Sequence, residues 1–368
     1  MDKIQIFDGL EIHSLICNRD VVLALNNFKS LQKYDEFKNT PIYLHDDGSL
    51  TEMDKTLLYD IDNVIFIDRK WADKEIEQYI KDYPNCMSYR LGNSKINLWH
   101  KIKTFDYFFF SKTKRVLGLD TDLLFMRKPQ DVIDFIESNT PFYFPDVQSS
   151  YSFNEPKNEV PVYKNVNTGL IYIPSEKYYS LDDLEFALSN LVKNNINYFP
   201  SWIEQSAFAH MFYKNGNYVN LSVDKYRIPY FQSVDIELVE CLHFVSYHAV
   251  RETYQEYIDY LKFDNGSIIY KNKFFVDYKE NKVPLIVDVY KHENFYSVKY
   301  YWGLEETNQN FLDHIFKITT SEGTVERKFQ SSKNGFFIFK TNDASIDIEH
   351  TYEWFEETDW KQLDSIYL

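Results

Sequence analysis

The sequence predicts an α/β fold, a mixed sheet with flanking helices, followed by a small all-β, sandwich-like domain. Three observations predict it. From residue 11 onward, short apolar runs alternate with helical patterns, the order that builds a sheet of parallel strands with helices on both faces. One of those runs, Val116–Leu119, ends in Asp120-Thr121-Asp122, and ligands of open α/β sheets gather at the carboxyl ends of strands. Near residue 265 the pattern changes to the period-two alternation of antiparallel strands.

In chain order, residues 11–17 read as the first strand, and Asn18-Arg19-Asp20 turns into a helix whose apolar stripe holds Val22, Leu25, Phe28 and Leu31. Residues 41–44 are the second strand, ended by the turn cluster Asp46-Asp47-Gly48-Ser49. Thr51 caps a short helix, with Asp54 three residues on in the manner of a capping box. Residues 63–67 are the third strand, and helical patterns fill 72–110. The next strand, 115–125, carries Asp120 and Asp122 at i, i+2, which puts both carboxylates on one face and Thr121 on the other. Asp60-Ile61-Asp62 has the same spacing and reads only as a helix-to-strand turn.

Pro129 opens a helix to about Ser138, and residues 141–144 are a strand. Residues 146–164 form a polar loop broken by Pro156 and Pro161, long enough to be a functional candidate that closes over a ligand. Residues 166–173 are a strand, helices follow at about 181–194 and 202–214, and the strand 241–245 runs into a helix at about 250–262. After the turn Asp264-Asn265-Gly266, Tyr296, Val298, Tyr300 and Trp302 share one strand face. Phe337 with Phe339 and Ile346 with Ile348 mark later strands, and Glu322-Gly323 and Asn334-Gly335 supply turns. Residues 1–265 are thus expected to form one domain and 266–368 a β-rich accessory domain.

The 368 residues suffice for a sizeable core. A net charge of −16 argues against a nucleic-acid partner, since phosphate backbones require a basic surface. It leaves room for an anionic ligand bridged by a divalent cation, which reverses the local sign. Cys17, Cys86 and Cys241 are odd in number and widely spaced, which fits a reducing compartment rather than a disulfide framework. No run approaches the roughly 20 apolar residues of a membrane span, and residues 1–5 lack a signal-peptide pattern, so the expected location is cytoplasmic.

Four segments carry a resemblance. They are Leu119-Asp120-Thr121-Asp122 preceded by the basic helix segment Lys101-Ile102-Lys103, then Asn167-Thr168-Gly169, then Glu204-Gln205, then His243-Phe244-Val245-Ser246. In this order they resemble the nucleotide-sugar glycosyltransferases of the GT-A fold, most nearly the retaining family 8 that includes glycogenin, over about residues 10–260. The chain departs from that pattern at the first strand end, where Cys17-Asn18-Arg19 stands in place of the usual aspartate. It departs again after the histidine, where His248 and Arg251 stand instead of Lys-Pro-Trp. Nothing in 266–368 is comparable.

The resemblance implies transfer of a sugar from a nucleoside diphosphate donor, UDP-linked, to a glycan or other hydroxyl acceptor, with retention. It implies Mn²⁺ or Mg²⁺ held by Asp120, Asp122 and His243, with His248 the alternative third ligand. That set is chemically sensible, because hard ions prefer carboxylates and Mn²⁺ also accepts imidazole. Asp120, Asn18, Arg19, Lys101, Lys103, Asn167, Gly169 and Arg251 become donor contacts. Gln205, Glu204 and Asp146 become candidates at the reacting carbon, although Ser201 and Glu204 also fit a capping box. Asp46 and Asp47 are weighed as nucleoside contacts at the second strand end. Two rival readings remain. One is a haloacid-dehalogenase-type phosphatase, which also uses Asp-x-Asp; the other is a non-catalytic glycan-binding protein on a transferase fold.

Overall fold

A computed structural model describes residues 7–92, 100–152, 160–191, 202–229, 234, 238–245, 254–255, 257–258 and 261, and strands between 267 and 354. The chain divides into two compact units, Met1–Ile228 with Glu240–His243, and Pro229–Val239 with Phe244–Leu368. The first unit opens with β1 (Glu11–Ile16), α1 (Val21–Leu31), β2 (Ile42–Asp46), α2 (Glu52–Leu58) and β3 (Val64–Ile67). It continues through α3 (Arg69–Ile80), α4 (Pro84–Leu91), α5 (His100–Phe109), β4 (Val116–Leu119), β5 (Leu123–Phe125) and α6 (Gln130–Glu137). Then come β6 (Phe142–Pro145), β7 (Val166–Ile173), α7 (Leu181–Ser189), α8 (Ile203–Asn215), β8 (Val219–Asn220), β9 (Tyr226–Arg227) and β10 (Cys241–His243).

Seven strands form one mixed sheet in the order β3-β2-β1-β4-β7-β6-β8. Four of them, β3, β2, β1 and β4, run parallel; β7 is antiparallel to β4 and to β6. The mixed α/β class predicted from the sequence is the class observed. Thr51 and Asp54 make the expected capping box at α2.

Two local readings are corrected. The buried face of α1 is Val21, Ala24, Phe28 and Leu31, whereas Val22 is 61% exposed. A short 3-10 turn at Asn18–Asp20 precedes the helix, which starts at Val21; Phe28 and Leu31 are buried as expected, and Val21 and Ala24 take the places expected for Val22 and Leu25. The aspartate segment is two strands, not one. After Asp120 donates its N–H to Gly169 O at 2.7 Å, the chain leaves the large sheet, and β5 pairs antiparallel with β10 in a three-stranded sheet with β9. Asp120 to Asp122 therefore occupy the crossing between two sheets, and strand alternation does not set their directions.

The second unit holds β11 (Ser267–Tyr278), β12 (Asn281–Lys291), β13 (Tyr296–Trp302), β14 (Leu312–Thr320), β15 (Gly323–Ser331), β16 (Asn334–Phe339) and β17 (Asp347–Trp354). They form two antiparallel sheets, β11-β12-β13-β16 and β15-β14-β17. Gly323 opens β15 directly opposite Thr320, as a turn there requires. Asn334 and Gly335 instead pair with Tyr301 and Tyr300 inside the ladder, because an Asn-Gly step also accepts the extended backbone. The helix expected at 250–262 and the turn at 264–266 fall largely outside the described residues.

The centre of the large sheet buries a histidine pair. His13 Nδ1 and His45 Nε2 lie 2.9 Å apart, and the rings pack on Tyr43 and Tyr107. Burial pushes the His13 imidazole below its ordinary value against the pull of Glu11. Burial, with His13 and Arg90 nearby, pushes His45 well below. The unfolded chain protonates these groups near pH 6.5, whereas the folded chain holds them neutral to lower pH. Their contribution is thus fully present above that value and is lost as the pH falls through it. Between about pH 7.5 and 5 the melting temperature of the wild type is expected to fall more steeply than that of His45→Gln. Equal slopes in a thermal-shift series would contradict this account.

Candidate metal and donor site

The C-terminal end of β4 collects groups from five elements. Asp120, Asp122 and His243 each offer a ligand atom, and these atoms all lie within 4.8 Å of one another. His243 Nε2 is 3.0 Å from Asp122 Oδ1 and 3.8 Å from Asp120 Oδ2. It reaches them because β10 pairs with β5, which places His243 opposite Leu123, one residue past Asp122. His243 Nδ1 is buried and makes no hydrogen bond among the described residues, and Asp122 Oδ1 is buried with only the ion pair to His243 Nε2. Two carboxylates and an imidazole whose ligand atoms converge in this way fit a hard divalent ion of the Mn²⁺ kind.

Lys103 comes from α5. Its ammonium donates to Asp120 Oδ1 at 2.7 Å and lies 3.6 Å from Glu204 Oε1, with the lysine side chain only 2% exposed. Burial opposes the charge of Lys103, but Asp120 and Glu204 outweigh it and raise its proton affinity. Burial likewise pushes the Asp120 carboxyl up, and Lys103 and His243 more than reverse this, holding it below the ordinary carboxylate value. Burial lowers the affinity of His243 for a proton, and Asp122 and Asp120 raise it beyond its ordinary value.

Glu204 and Gln205 open α8. The N-cap position of α8 is Trp202 and makes no side-chain cap bond; Ser201, the partner of the expected capping box, lies outside the described residues. The Glu204 carboxylate faces inward instead, accepting from Thr168 Oγ1 at 2.9 Å, and burial raises its proton affinity despite Lys103. Gln205 Nε2 donates to Asp146 Oδ2 and to Ser150 O, each at 3.2 Å. Burial raises the Asp146 carboxyl above its ordinary value, only partly offset by the Val147 N–H, His243 and Gln205. The first part of the long loop is thereby pinned to α8, where Ser152 N also donates to Ser206 Oγ at 2.8 Å.

Asn167 and Gly169 lie on β7. Gly169 N donates to Asn167 Oδ1 at 2.8 Å, which leaves the Asn167 amide N–H groups free of that bond. The structure thus brings Asp120, Asp122, His243, Lys103, Glu204, Gln205, Asp146, Asn167 and Gly169 together. It does not bring Lys101 there. Two residues from Lys103 on the helix, Lys101 points elsewhere, and after burial its main influences are Arg69 and Arg90, both lowering its proton affinity. Asn18 donates its N–H to Ser49 Oγ at 2.9 Å, and the exposed Arg19 has Cys17, Asp20 and Asp47 as neighbours. Asp46 and Asp47 close the loop after β2 by accepting from Gly48 N and Ser49 N. His248 and Arg251 lie outside the described residues.

Sequence reasoning missed the polar residues of α1. Asn27 Nδ2 donates to Asp120 O at 2.7 Å, and Ser30 Oγ accepts from Phe125 N at 3.0 Å, so one helix face holds the start of the aspartate crossing and the end of β5. The available signal was a pair of polar residues spaced i, i+3 on a helix face that is otherwise apolar. Phe144, which meets the His243 ring, carried no such signal.

No protein-family model matches the chain, and no curated protein matches it. Among solved structures, the chain is similar to mouse xyloside xylosyltransferase 1 in its apo form, with 12% identity over 64% of this chain and 96% of that one, TM-score 0.44. It is similar to the galactosyltransferase LgtC in complex with donor and acceptor sugar analogues, with 12% identity over 64% and 86%, TM-score 0.38. It is also similar to core-mannan synthase A of Aspergillus fumigatus in an Mn/GDP form, with 11% identity over 58% and 72%, TM-score 0.36. Among the described residues no helix is long and apolar enough to cross a membrane.

Lys103→Met removes the only lysine joining Asp120 to Glu204 among these contacts, and strands the buried Glu204 carboxylate and the partly exposed Asp120. Folding stability is expected to drop by about 2–3 kcal/mol, read from urea denaturation, since Glu204 is buried but Asp120 keeps some contact with water. A loss of less than about 1 kcal/mol would mean that water already satisfies them.

Proposed function

We propose that this chain is a metal-dependent glycosyltransferase of the GT-A type, resembling retaining family 8. It takes a sugar from a nucleoside diphosphate donor, UDP-linked, and passes it to a glycan or other hydroxyl acceptor with retention. The observation that carries this reading is the convergence of Asp120, Asp122 and His243 beside buried Lys103 at the end of β4. In this reading residues 1–265 perform the transfer and 266–368 are an accessory β domain.

Asp120, Asp122 and His243 would hold Mn²⁺ or Mg²⁺, and such an ion supplies positive charge against a departing diphosphate. Lys103 engages Asp120 Oδ1, so Asp120 Oδ2, the oxygen facing His243, remains for the ion. Gln205 has its amide nitrogen committed to Asp146 and Ser150, which directs its carbonyl oxygen to the donor sugar. Asp146, with raised proton affinity, accepts hydroxyl hydrogen bonds from donor or acceptor. Asn167, whose Oδ1 is held by Gly169 N, presents its amide nitrogen to the donor. Glu204 is the counter-charge that keeps Lys103 seated while Thr168 fixes its orientation. The loop after Asp146 excludes water, since hydrolysis is the competing reaction.

Thermal shifts test this with UDP alone, Mn²⁺ alone, and both together. A ligand at about 100 times its dissociation constant stabilises the fold by about 2.7 kcal/mol. The expected result is a shift with both that exceeds the sum of the two alone, abolished by Asp122→Ala. Absence of a shift with any nucleoside diphosphate would sink the proposal. Hydrolysis of a generic phosphate ester, lost in Asp120→Ala, would replace it with the phosphatase reading.

A further inference from the structure

The space in which Gly169 would carry a side chain is filled by the ring of His243. A Cβ built on Gly169 would lie 2.6 Å from Nδ1 and 2.9 Å from Nε2 of that imidazole, and closer still to Cε1. The backbone offers no other reason for glycine, because the φ of Gly169 is outside the left-handed region. On another side the Phe144 ring meets the imidazole edge to face, with centroids 5.4 Å apart and planes at 78°.

A metal-ligating histidine is ordinarily oriented by a hydrogen bond from its second ring nitrogen. His243 has none, since Nδ1 is buried and without a hydrogen-bond partner among the described residues, while Nε2 faces the two aspartates. Packing must therefore do what the hydrogen bond usually does. We infer that Gly169 is a positioning residue: its missing side chain is the seat of the His243 imidazole, which Phe144 closes, and this seat aims Nε2 at Asp120 and Asp122. The inference rests on the metal reading above and assigns Gly169 a steric role in place of a donor contact.

Direct Mn²⁺ binding to the full chain, followed by the electron paramagnetic resonance of free Mn²⁺, tests it. Gly169→Ala is expected to weaken Mn²⁺ binding by about tenfold or more. Gly118→Ala is the control, because a Cβ there would meet Ile171 Cγ1 at 2.9 Å and Tyr107 Cδ2 at 3.2 Å rather than the imidazole. It crowds the same sheet and is expected to leave the affinity unchanged. In the His243→Asp background, where a shorter carboxylate replaces the ring, adding Gly169→Ala is expected to cost nothing further. A merely structural glycine would give the same loss in both backgrounds, and that result overturns the inference, as does Mn²⁺ binding by Gly169→Ala equal to wild type. Should Gly169→Ala fail to fold, Phe144→Leu loosens the same seat from the other side; undiminished Mn²⁺ binding there would also overturn it. Wild-type protein that binds no Mn²⁺ overturns the metal reading itself, a result distinct from the others.

Discussion

Lys103 is the charge on which the end of β4 depends. Asp120 and Glu204 face it directly, Asp122 stands behind His243, and Asp146 lies near enough to feel that imidazole. Taking such carboxylates out of water costs several kcal/mol each unless a cation answers them. One lysine and one imidazole do not answer four acids. Asp122 Oδ1 is buried and meets only the His243 ring nitrogen, at 3.0 Å, so acidic groups outnumber the cations that face them at this point. A divalent ion is the species that cancels such a surplus and binds a diphosphate with its remaining charge. Under the proposed function, the same electrostatic constraint links folding to donor binding.

The sheet meets that constraint by ending. Hydrogen bonding along β4 and β7 stops at the bond from Asp120 N to Gly169 O, and the chain then crosses to pair β5 with β10. A continuous strand would have carried Asp120 and Asp122 onward on one face with no histidine near them. The crossing turns both toward β10, and Asn27 and Ser30 of α1 hold its start and the end of β5. Those side chains also satisfy the Asp120 carbonyl and the Phe125 N–H. Packing of α1 on the sheet is therefore part of how the aspartates are aimed.

Much of the fold was legible because its signals are local. Short apolar runs gave β1, β2, β3 and β7 nearly at their observed bounds, and Thr51 with Asp54 named a helix start outright. The inward face of the first turn of α1 was not legible, since Val21 and Val22 are equally apolar and only the packing tells which one is buried. The split of the aspartate strand was not legible either, because Leu123-Leu124-Phe125 is equally apolar whichever sheet it joins. Only the distant partner β10 decides that. The burial of Glu204 was masked by a capping pattern that explains the same letters, and Lys101 and Lys103 looked alike until the helix turned them to different clusters.

The two Asp-x-Asp segments show what a motif contributes. Asp60-Ile61-Asp62 connects α2 to β3, and Asp60 is 76% exposed, its oxygen meeting only the half-exposed Lys29 at 2.9 Å. An ion pair in that setting is worth little, and its loss would scarcely register. Asp120-Thr121-Asp122 has the same spacing, yet its carboxylates meet a fully buried lysine and a histidine that a glycine has made room for. Spacing is therefore common to both, and desolvation separates them. The second segment becomes a candidate site because five elements deliver charge to it, with Lys103, Glu204 and His243 buried and the two aspartates only partly open to water, and charges so placed act more strongly than in bulk water.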